Sequence, residues 1–260
     1  ESVRRAEHTP EEERQRAADR SLPAQGEDRT EDRIRKLNWK GTKMNIKILY
    51  DNQAKKGFQS GWGFSALIDN STLFDTGESA EPLLANLHAF GIQPKQIQQI
   101  ILSHEHWDHV GGIAILEQCG PVMVYVPSSF SKRIKENIVD LNTEANLVEI
   151  QDAIKIEPHL IVTSQIGTFI KEISLAVQSD KGIILIVGCS HPGLNKIMTH
   201  ASKFGNIYAV IGGFHGFSKL KALKNVPVIV PTHCTQKKQE ILDMYPEQAK
   251  FVEAGTELNL

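Results

Sequence analysis

Short apolar runs separated by polar turns dominate the chain after residue 44. The runs at 45–50, 64–68 and 72–74 are joined by polar or glycine-containing segments, which predicts a meander of three strands. Apolar residues at helical spacing then predict a helix over 79–90. The next predicted elements are a helical turn at 93–98, a strand ending at Leu102, a helix at 110–117, a strand at 121–126, a helix at 130–138, a strand at 146–150, and extended segments at 153–161 and 167–177.

The second half repeats the order of strands followed by helices. Residues 183–187 are apolar at every position, which predicts a central strand covered on both faces. The remaining predicted elements are a helix at 194–204, strands at 207–211 and 226–230, a helix at 237–245 and a last strand near Phe251 and Val252. This order predicts an α/β fold whose two halves share one layout.

The densest chemistry lies at Ser103–His109, directly after the strand that ends at Leu102. Four potential metal ligands, His104, His106, Asp108 and His109, fall within six residues. Crowded imidazoles and a carboxylate need a cation or a full set of hydrogen bonds, so a metal site explains them better than a histidine-rich surface loop. His104 and His106 alternate and should point to the same side, whereas Asp108 and His109 can face a second ion.

Histidines recur at the ends of the predicted strands. Of the ten histidines, six follow apolar runs, namely His104, His106, His109, His191, His215 and His233. A layered sheet structure would gather these loops at one edge, which lets distant residues share two ions. The other four, His8, His88, His159 and His200, are interpreted as structural or surface residues.

The composition is that of an ordinary globular chain. Hydrophobic residues make up 40% and charged residues 23% of the 260 positions. The chain has neither an apolar run long enough to span a bilayer nor a recognisable signal segment, so we expect no membrane partner. Cys119, Cys189 and Cys234 form neither a disulfide framework nor a C-x-x-C site, which favours a reducing, cytoplasmic setting. The net charge of −2 and the lack of a basic tract give no indication of nucleic-acid binding.

Residues 1–43 differ from the rest, because they contain 11 basic and 10 acidic residues and few large apolar ones. Such a segment is expected to remain a disordered tail, with a docking arm as the functional alternative. Since no Met precedes Met44, the tail is also open to interpretation as an upstream segment foreign to the native protein. Residues 44–260 then form the functional domain.

The H-E-H-W-D-H stretch at 104–109 fits the H-x-H-x-D-H motif and resembles the metallo-β-lactamase superfamily. Phe74–Gly77 (FDTG) resembles the strand and turn that precede the metal loop in that family. G-C-S-H-P-G at 188–193, G-G-F-H at 212–215 and P-T-H-C-T at 231–235 occur in the order of one subgroup, which includes β-ribofuranosylaminobenzene 5'-phosphate synthase. The resemblance extends over residues 44–260 and implies a four-layer αβ/βα sandwich.

The resemblance also implies a ligand set for two ions. One ion takes His104 and His106, and the other takes Asp108, His109 and the late ligand His233. His191 is the candidate that completes the first site, with a supporting role as its alternative. Cys189 stands where a bridging aspartate is common in the family, so it is either a thiolate ligand or a small packed thiol.

Several neighbouring residues have more than one interpretation. Asp75 is implied to support the metal loop, and it is also placed to cap the helix at 79–90. His215 is a candidate ligand, general acid or phosphate-binding donor, with a structural role as the alternative. Glu105 should point away from the ligands, and Glu172 is a candidate for the upstream ligand that this chain lacks. Trp107 is expected to line the pocket or to pack beneath the loop, and Cys234 is expected to pack.

These residues predict a metal-dependent hydrolase. Two divalent ions, with zinc preferred and manganese or iron as alternatives, would activate water against a phosphoester, thioester or lactone. Asp108 would orient the nucleophile, and the partner would be a small molecule, with phosphate-bearing compounds included.

Three alternatives remain open at this point. The subgroup resemblance implies a ribofuranosylaminobenzene phosphate synthase-like transferase. A metal-binding sensor module without turnover is the non-enzymatic alternative. A redox role like that of the diiron flavoproteins of this fold is disfavoured, since their second motif position is usually Glu and here it is His106. The oligomeric state is left undetermined by the sequence.

Overall fold

The computed structural model describes residues 43–260, so the predicted tail lies outside the described residues except for Lys43. Within that range the chain forms two β-sheets with helices on their outer faces. The first sheet contains β1 (Asn45–Tyr50), β2 (Ser65–Ile68), β3 (Thr72–Phe74), β4 (Gln99–Ile101), β5 (Val122–Pro127), β6 (Ala145–Ile150) and β13 (Glu257–Asn259). The second contains β7 (Ile154–Glu157), β8 (Leu160–Val162), β9 (Leu175–Ser179), β10 (Gly182–Val187), β11 (Ile207–Gly213) and β12 (Val228–Thr232).

Parallel strands in both sheets bring distant loops to one edge. In the first sheet the strand order is β13-β1-β2-β3-β4-β5-β6, and β3 to β6 run parallel to one another. In the second the order is β12-β11-β10-β9-β8-β7, and β10 to β12 run parallel. Because parallel strands end at the same edge of a sheet, the loops after β3, β4, β10, β11 and β12 are available to one site.

The helices cover the two sheets from outside. They are α1 (Ala80–Ala89), α2 (Trp107–Val110), α3 (Lys132–Leu141), α4 (Leu194–Ala201) and α5 (Lys238–Met244). Short 3₁₀ helices lie at Pro94–Gln96, Gly111–Gln118, Ser202–Phe204 and Leu220–Leu223. Within residues 43–260, none of the helices has the length and apolar character needed to cross a membrane.

Alternating side chains explain why the sheets pack face to face. Phe74 of β3 and Phe64, which directly precedes β2, share one buried cluster with Ile184 and Ile186 of β10. Leu185, between those two isoleucines, is also fully buried but points to the opposite face, toward the outer helices. A second cluster joins α1 and the 3₁₀ helix after α2 to the outer face of the first sheet. The predicted αβ/βα sandwich and the doubly covered central strand are confirmed.

Three sequence-based predictions about local structure are wrong. The predicted strand near Phe251 and Val252 is absent, and the last strand is instead β13, which pairs with β1. Val252 is nevertheless buried between the sheets, because its segment runs between two isolated β-bridges. One joins Ala249 to Ile229 of β12, and the other joins Ala254 to Ala54, which follows β1. Val252 is therefore buried without strand structure, whereas Phe251 beside it is 52% exposed.

The helix expected at 110–117 begins earlier, as α2 at Trp107, and continues as a 3₁₀ helix over Gly111–Gln118. His106 occupies the N-cap position of α2, so the first helical turn precedes Gly111 and Gly112. The extended segment expected at 167–177 is a strand only from Leu175 onward. Residues before it form a tight hairpin closed by the Ile166–Glu172 bridge.

Candidate metal centre

The metal loop leaves β4 and is held in place by Asp75, which follows β3. The Ser103 backbone N–H donates to Asp75 Oδ1 at 2.7 Å, and the Ser103 hydroxyl donates to Oδ2 at 2.7 Å. His109 Nδ1 lies 2.7 Å from the same Oδ2. Asp75 thus supports both ends of the motif, as the resemblance implied. It does not cap α1, whose N-cap is Ser79.

The Asp75–His109 pair is fully buried. Burial alone would lower the pKa of His109, but the Asp75 carboxylate raises it above its ordinary value. With Nδ1 engaged by Asp75, the other ring nitrogen, Nε2, points at Cys189 Sγ, 3.0 Å away. A carboxylate behind an imidazole fixes its tautomer and makes the free nitrogen a better metal ligand.

His104, His106 and His191 form the first cluster. Their candidate ligand nitrogens all lie within 4.8 Å of one another. The rings of His104 and His106 are 4.6 Å apart between centroids, and each lies within 5 Å of the His191 ring. The turn after β10 therefore brings His191 to the two motif histidines from about 85 residues away in the sequence.

Asp108, His109, Cys189 and His233 form the second cluster, and their candidate ligand atoms also lie within 4.8 Å of one another. His233 Nε2 is 3.0 Å from Asp108 Oδ2. The two clusters adjoin, because the rings of His104 and His109 are 4.2 Å apart between centroids. The structure thus brings His191 to His104 and His106, and His233 to Asp108 and His109, whereas the sequence had not assigned Cys189 to either ion.

The outer nitrogens of the imidazoles are engaged by the protein. Nδ1 of His104 lies 2.9 Å from Ser103 Oγ, and Nδ1 of His233 lies 2.9 Å from Asn52 Oδ1. Nδ1 of His191 contacts the buried carboxylate of Glu172. The inner Nε2 atom of His104, by contrast, is buried and has no hydrogen-bond partner among the described residues. A buried nitrogen in this position fits a metal ligand.

The protonation states of four candidate ligands match metal binding. Burial lowers the pKa of His104, His106 and His233, so these imidazoles are neutral at physiological pH. Burial alone would raise the pKa of Asp108, but the hydrogen bond with His233 and the nearby His109 lower it to about 2. Neutral imidazoles and an ionised carboxylate are the forms that bind a divalent cation.

The side chains of Cys189 and Cys234 meet next to β11, the middle one of the three parallel strands β10, β11 and β12. Their sulfurs are 3.2 Å apart, although β11 separates the strands that carry them. Gly213 of β11 makes room, since a Cβ there would lie 2.7 Å from Cys234 Sγ. The hydrogen bond between the two sulfurs, together with burial, raises the pKa of Cys189. Cys189 lies among candidate ligands, whereas Cys234 packs beside it as expected.

Left-handed backbone recurs where strands end at the site. Asp75, Ser190, His215 and His233 all have positive φ angles, of 56°, 61°, 44° and 44°. Residues other than glycine pay a conformational cost there of about 1 kcal/mol or more, and such strain is concentrated at functional sites. The surrounding hydrogen bonds hold His233 in this conformation, because its N–H donates to Asp51 Oδ1 at 2.6 Å.

Other sequence candidates occupy the edge of the centre. His215 is exposed, and its ring lies 4.9 Å from that of His191, outside both clusters. Glu105 is exposed and accepts a hydrogen bond from the Ser131 N–H, so it points away as expected. Trp107 is 60% exposed and lines a cleft of about 440 Å³ next to α2.

Three supporting residues were missed or misassigned by sequence reasoning. Asp51 and Asn52 follow β1 and position the backbone and ring of His233. Their place directly after a buried strand was the available signal. Glu172 is not in either cluster; its carboxylate instead accepts hydrogen bonds from the Ser190 and His191 N–H groups, at 3.0 Å each. The guess that Glu172 supplies an upstream ligand is corrected to a role in positioning His191.

Comparison with known proteins agrees with this geometry. A family model described as the metallo-β-lactamase superfamily matches residues 64–200. The 7,8-dihydropterin-6-methyl-4-(β-D-ribofuranosyl)-aminobenzene-5'-phosphate synthase of Methanocaldococcus jannaschii is 30% identical over 275 residues, which cover 79% of this chain and 92% of that protein. An uncharacterised protein of the same organism is 31% identical over 232 residues, covering 73% of this chain and 90% of its own.

Solved structures share the fold. Tm1679, described as a metal-dependent hydrolase of the β-lactamase superfamily, has a TM-score of 0.71 and 26% identity, covering 84% of this chain and 99% of its own. Human tRNase Z, short form, shares the fold at a TM-score of 0.56 and 14% identity, covering 83% and 98%. The chain therefore belongs to the metallo-β-lactamase superfamily.

Proposed function

We propose that the protein is a metal-dependent hydrolase with a dinuclear site. The observation that carries this proposal is the pair of adjoining ligand clusters, with the rings of His104 and His109 only 4.2 Å apart. A structural metal site needs one closed set of four ligands, whereas the first cluster offers three histidines and leaves a position open.

The donor set favours zinc. Imidazole nitrogens, one carboxylate and one thiol suit Zn²⁺ better than Mg²⁺ or Ca²⁺, which prefer oxygen ligands. In this proposal His104, His106 and His191 hold one ion, and Asp108, His109, Cys189 and His233 hold the other. When bound, the ions supply Lewis acidity and lower the pKa of water.

The protein's own groups then orient the reaction. The Asp108 carboxylate, ionised and hydrogen-bonded to His233, is placed to accept a hydrogen bond from a nucleophilic water. His215 is exposed beside His191 and is placed to donate a proton or a hydrogen bond to the substrate. The exposed position of His215 favours contact with substrate over metal binding.

The substrate class is a small molecule with a phosphoester, thioester or lactone group. The test is elemental analysis of the purified protein, combined with hydrolysis assays on bis(4-nitrophenyl) phosphate, an acyl thioester and an acyl lactone. His106→Ala should lose one metal per chain and the activity, whereas His88→Ala, an exposed histidine on α1, should keep both. Wild-type protein with no bound metal, or equal activity in His106→Ala, would refute the proposal.

A transferase is the second candidate, because the 30% identical relative is named a synthase. Formation of that relative's named product requires a bond between a dihydropterin 6-methyl carbon and a ribofuranosylaminobenzene phosphate. The test supplies a 7,8-dihydropterin with a leaving group on that carbon, together with the aminobenzene phosphate, and follows the product by mass spectrometry. Product formation without hydrolysis of the ester panel would favour the transferase.

A further inference from the structure

A cleft of about 750 Å³ adjoins the first cluster at His191. One wall is the exposed side of α4 and the 3₁₀ turn after it, and the other is the hairpin tip at 166–170. A volume of this size accommodates a ligand larger than a single ester group. The centre therefore has an adjoining space that the two clusters themselves do not use.

The helical wall of the cleft is cationic and polar. Asn195, Lys196, Thr199 and Lys203 line it, and their spacing of three to four residues places them along one helical stripe. Among the described residues that line the cleft, none is acidic. Charge complementarity therefore favours an anionic ligand.

The length of this helical stripe limits the size of the ligand. From Leu194 to Lys203 the chain advances roughly 14 Å at the helical rise per residue. His191 lies at one end of the cleft, beside the first cluster, and Lys203 lies toward the other. A ligand that contacts both ends must therefore be long, with its reactive group near His191 and its charge toward the lysines.

The opposite wall supplies an aromatic face. Phe169 at the hairpin tip is completely exposed, and hydrogen bonds fix the base of the hairpin. Ile166 and Glu172 exchange two backbone hydrogen bonds of 2.9 Å at its base, and the Glu172 carboxylate binds the 190–191 turn. Gly167, at a φ of 126°, permits the tight tip, since a Cβ there would meet Ile170 O at 2.1 Å.

The tip stands between the cleft and the other two histidines of the first cluster. Phe169 and Ile170 line the cleft, and they also line a smaller recess of about 190 Å³ that contains His104 and His106. A molecule in the cleft would thus pass the aromatic ring before its reactive group reaches the histidines. An exposed aromatic ring at such a position is suited to stacking against a flat apolar group.

We propose that this cleft binds the body of the substrate, a flat apolar group that carries a phosphate or carboxylate at its distal end. Phe169 stacks on the flat group, and Lys196 and Lys203 bind the anion. This inference rests on the proposed function only for the reactive end of the substrate. Binding in the cleft itself depends on residues outside both ligand clusters.

Calorimetric titration of the metal-loaded protein with phenyl phosphate, inorganic phosphate, benzoate and benzyl alcohol tests the cleft directly. Lys196→Gln/Lys203→Gln should weaken phenyl phosphate binding at least tenfold at unchanged metal content. Lys221→Gln/Lys224→Gln, a matched pair of exposed lysines outside the cleft, should leave it unchanged. A preference between phenyl phosphate and benzoate identifies which anion the site takes.

The aromatic contact is tested separately. Phe169→Ala should weaken phenyl phosphate and benzoate several-fold but leave inorganic phosphate unchanged, whereas Phe251→Ala, another exposed phenylalanine, should alter neither. Equal affinities in the lysine variants and their control would overturn the proposal, as would failure of wild type to bind any of the aromatic anions.

Kinetics distinguish the two proposals. If the wild type hydrolyses none of the esters, the hydrolase proposal fails and the titrations still decide the cleft. If the wild type hydrolyses the esters, the lysine variants should raise KM for an anionic ester more than KM for a neutral ester. If they do not, the cleft proposal alone fails.

Discussion

Replacing Asp75 with Asn tests how the protein prepares an imidazole for metal binding. Asp75 Oδ1 accepts from the Ser103 N–H, and Oδ2 faces both the Ser103 hydroxyl and His109 Nδ1. The amide of an asparagine at this position has two orientations, and each directs its NH₂ group at a hydrogen-bond donor of the wild-type protein. In one orientation the NH₂ group faces the Ser103 N–H, and in the other it faces the Ser103 hydroxyl and His109 Nδ1. If the NH₂ faces His109, its Nδ1 must accept, so the ring proton moves to Nε2. That nitrogen is the one that points into the second cluster.

The magnitude follows from these contacts. Loss of a carboxylate behind a metal-binding histidine weakens metal affinity about 10- to 100-fold, which corresponds to roughly 1.4–2.8 kcal/mol. The lost hydrogen bonds to a charged, fully buried group also lower folding stability, by about 2–5 kcal/mol. Because both partners remain buried, the effect on stability should persist at high salt.

Zinc affinity measured by competition with a chelator gives the readout, and thermal unfolding gives the stability. Asp152→Asn, at an exposed aspartate, is the control and should change neither. A variant Asp75→Asn that folds and binds both metals with wild-type affinity would refute the argument that Asp75 fixes the His109 tautomer.

Three further substitutions have defined outcomes. Gly188→Ala should destabilise the protein by about 1–3 kcal/mol in denaturant unfolding, because its Cβ would lie 2.2 Å from Ser103 Oγ. The control is Gly120→Ala, which has open space around it and should differ from wild type in unfolding free energy by less than about 1 kcal/mol. Glu172→Gln should release the first metal more readily in a chelator titration, whereas equal release would exclude its role in positioning His191. His215→Ala should retain both metals by elemental analysis while kcat falls about 100-fold, and an unchanged kcat would exclude proton donation by this residue.

The ends of the strands were predictable because periodicity and chemistry agreed there. The apolar runs before His104, His191 and His233 predicted strands, and the structure brings all three histidines to one edge. The general α/β class follows from those patterns alone. The sandwich itself came from the H-x-H-x-D-H resemblance, because strand order depends on pairings distant in the sequence.

The supporting residues were harder to predict, because their role depends on tertiary contacts. Glu172 lies in an apolar stretch whose hairpin is set by the left-handed Gly167, and only the folded chain places its carboxylate beneath the 190–191 turn. Val252 shows the opposite error, since a buried valine in a crossing segment has the pattern of a short strand. Local pattern indicates burial in both cases, and the contacts determine the structure.

Anomalous X-ray diffraction at the zinc edge, on crystals of protein purified without added chelator, tests the central claim most directly. The account predicts two peaks, one among the side chains of His104, His106 and His191 and one among those of Asp108, His109, Cys189 and His233. A single peak elsewhere, or no metal peak at these histidines after zinc is supplied, would contradict it.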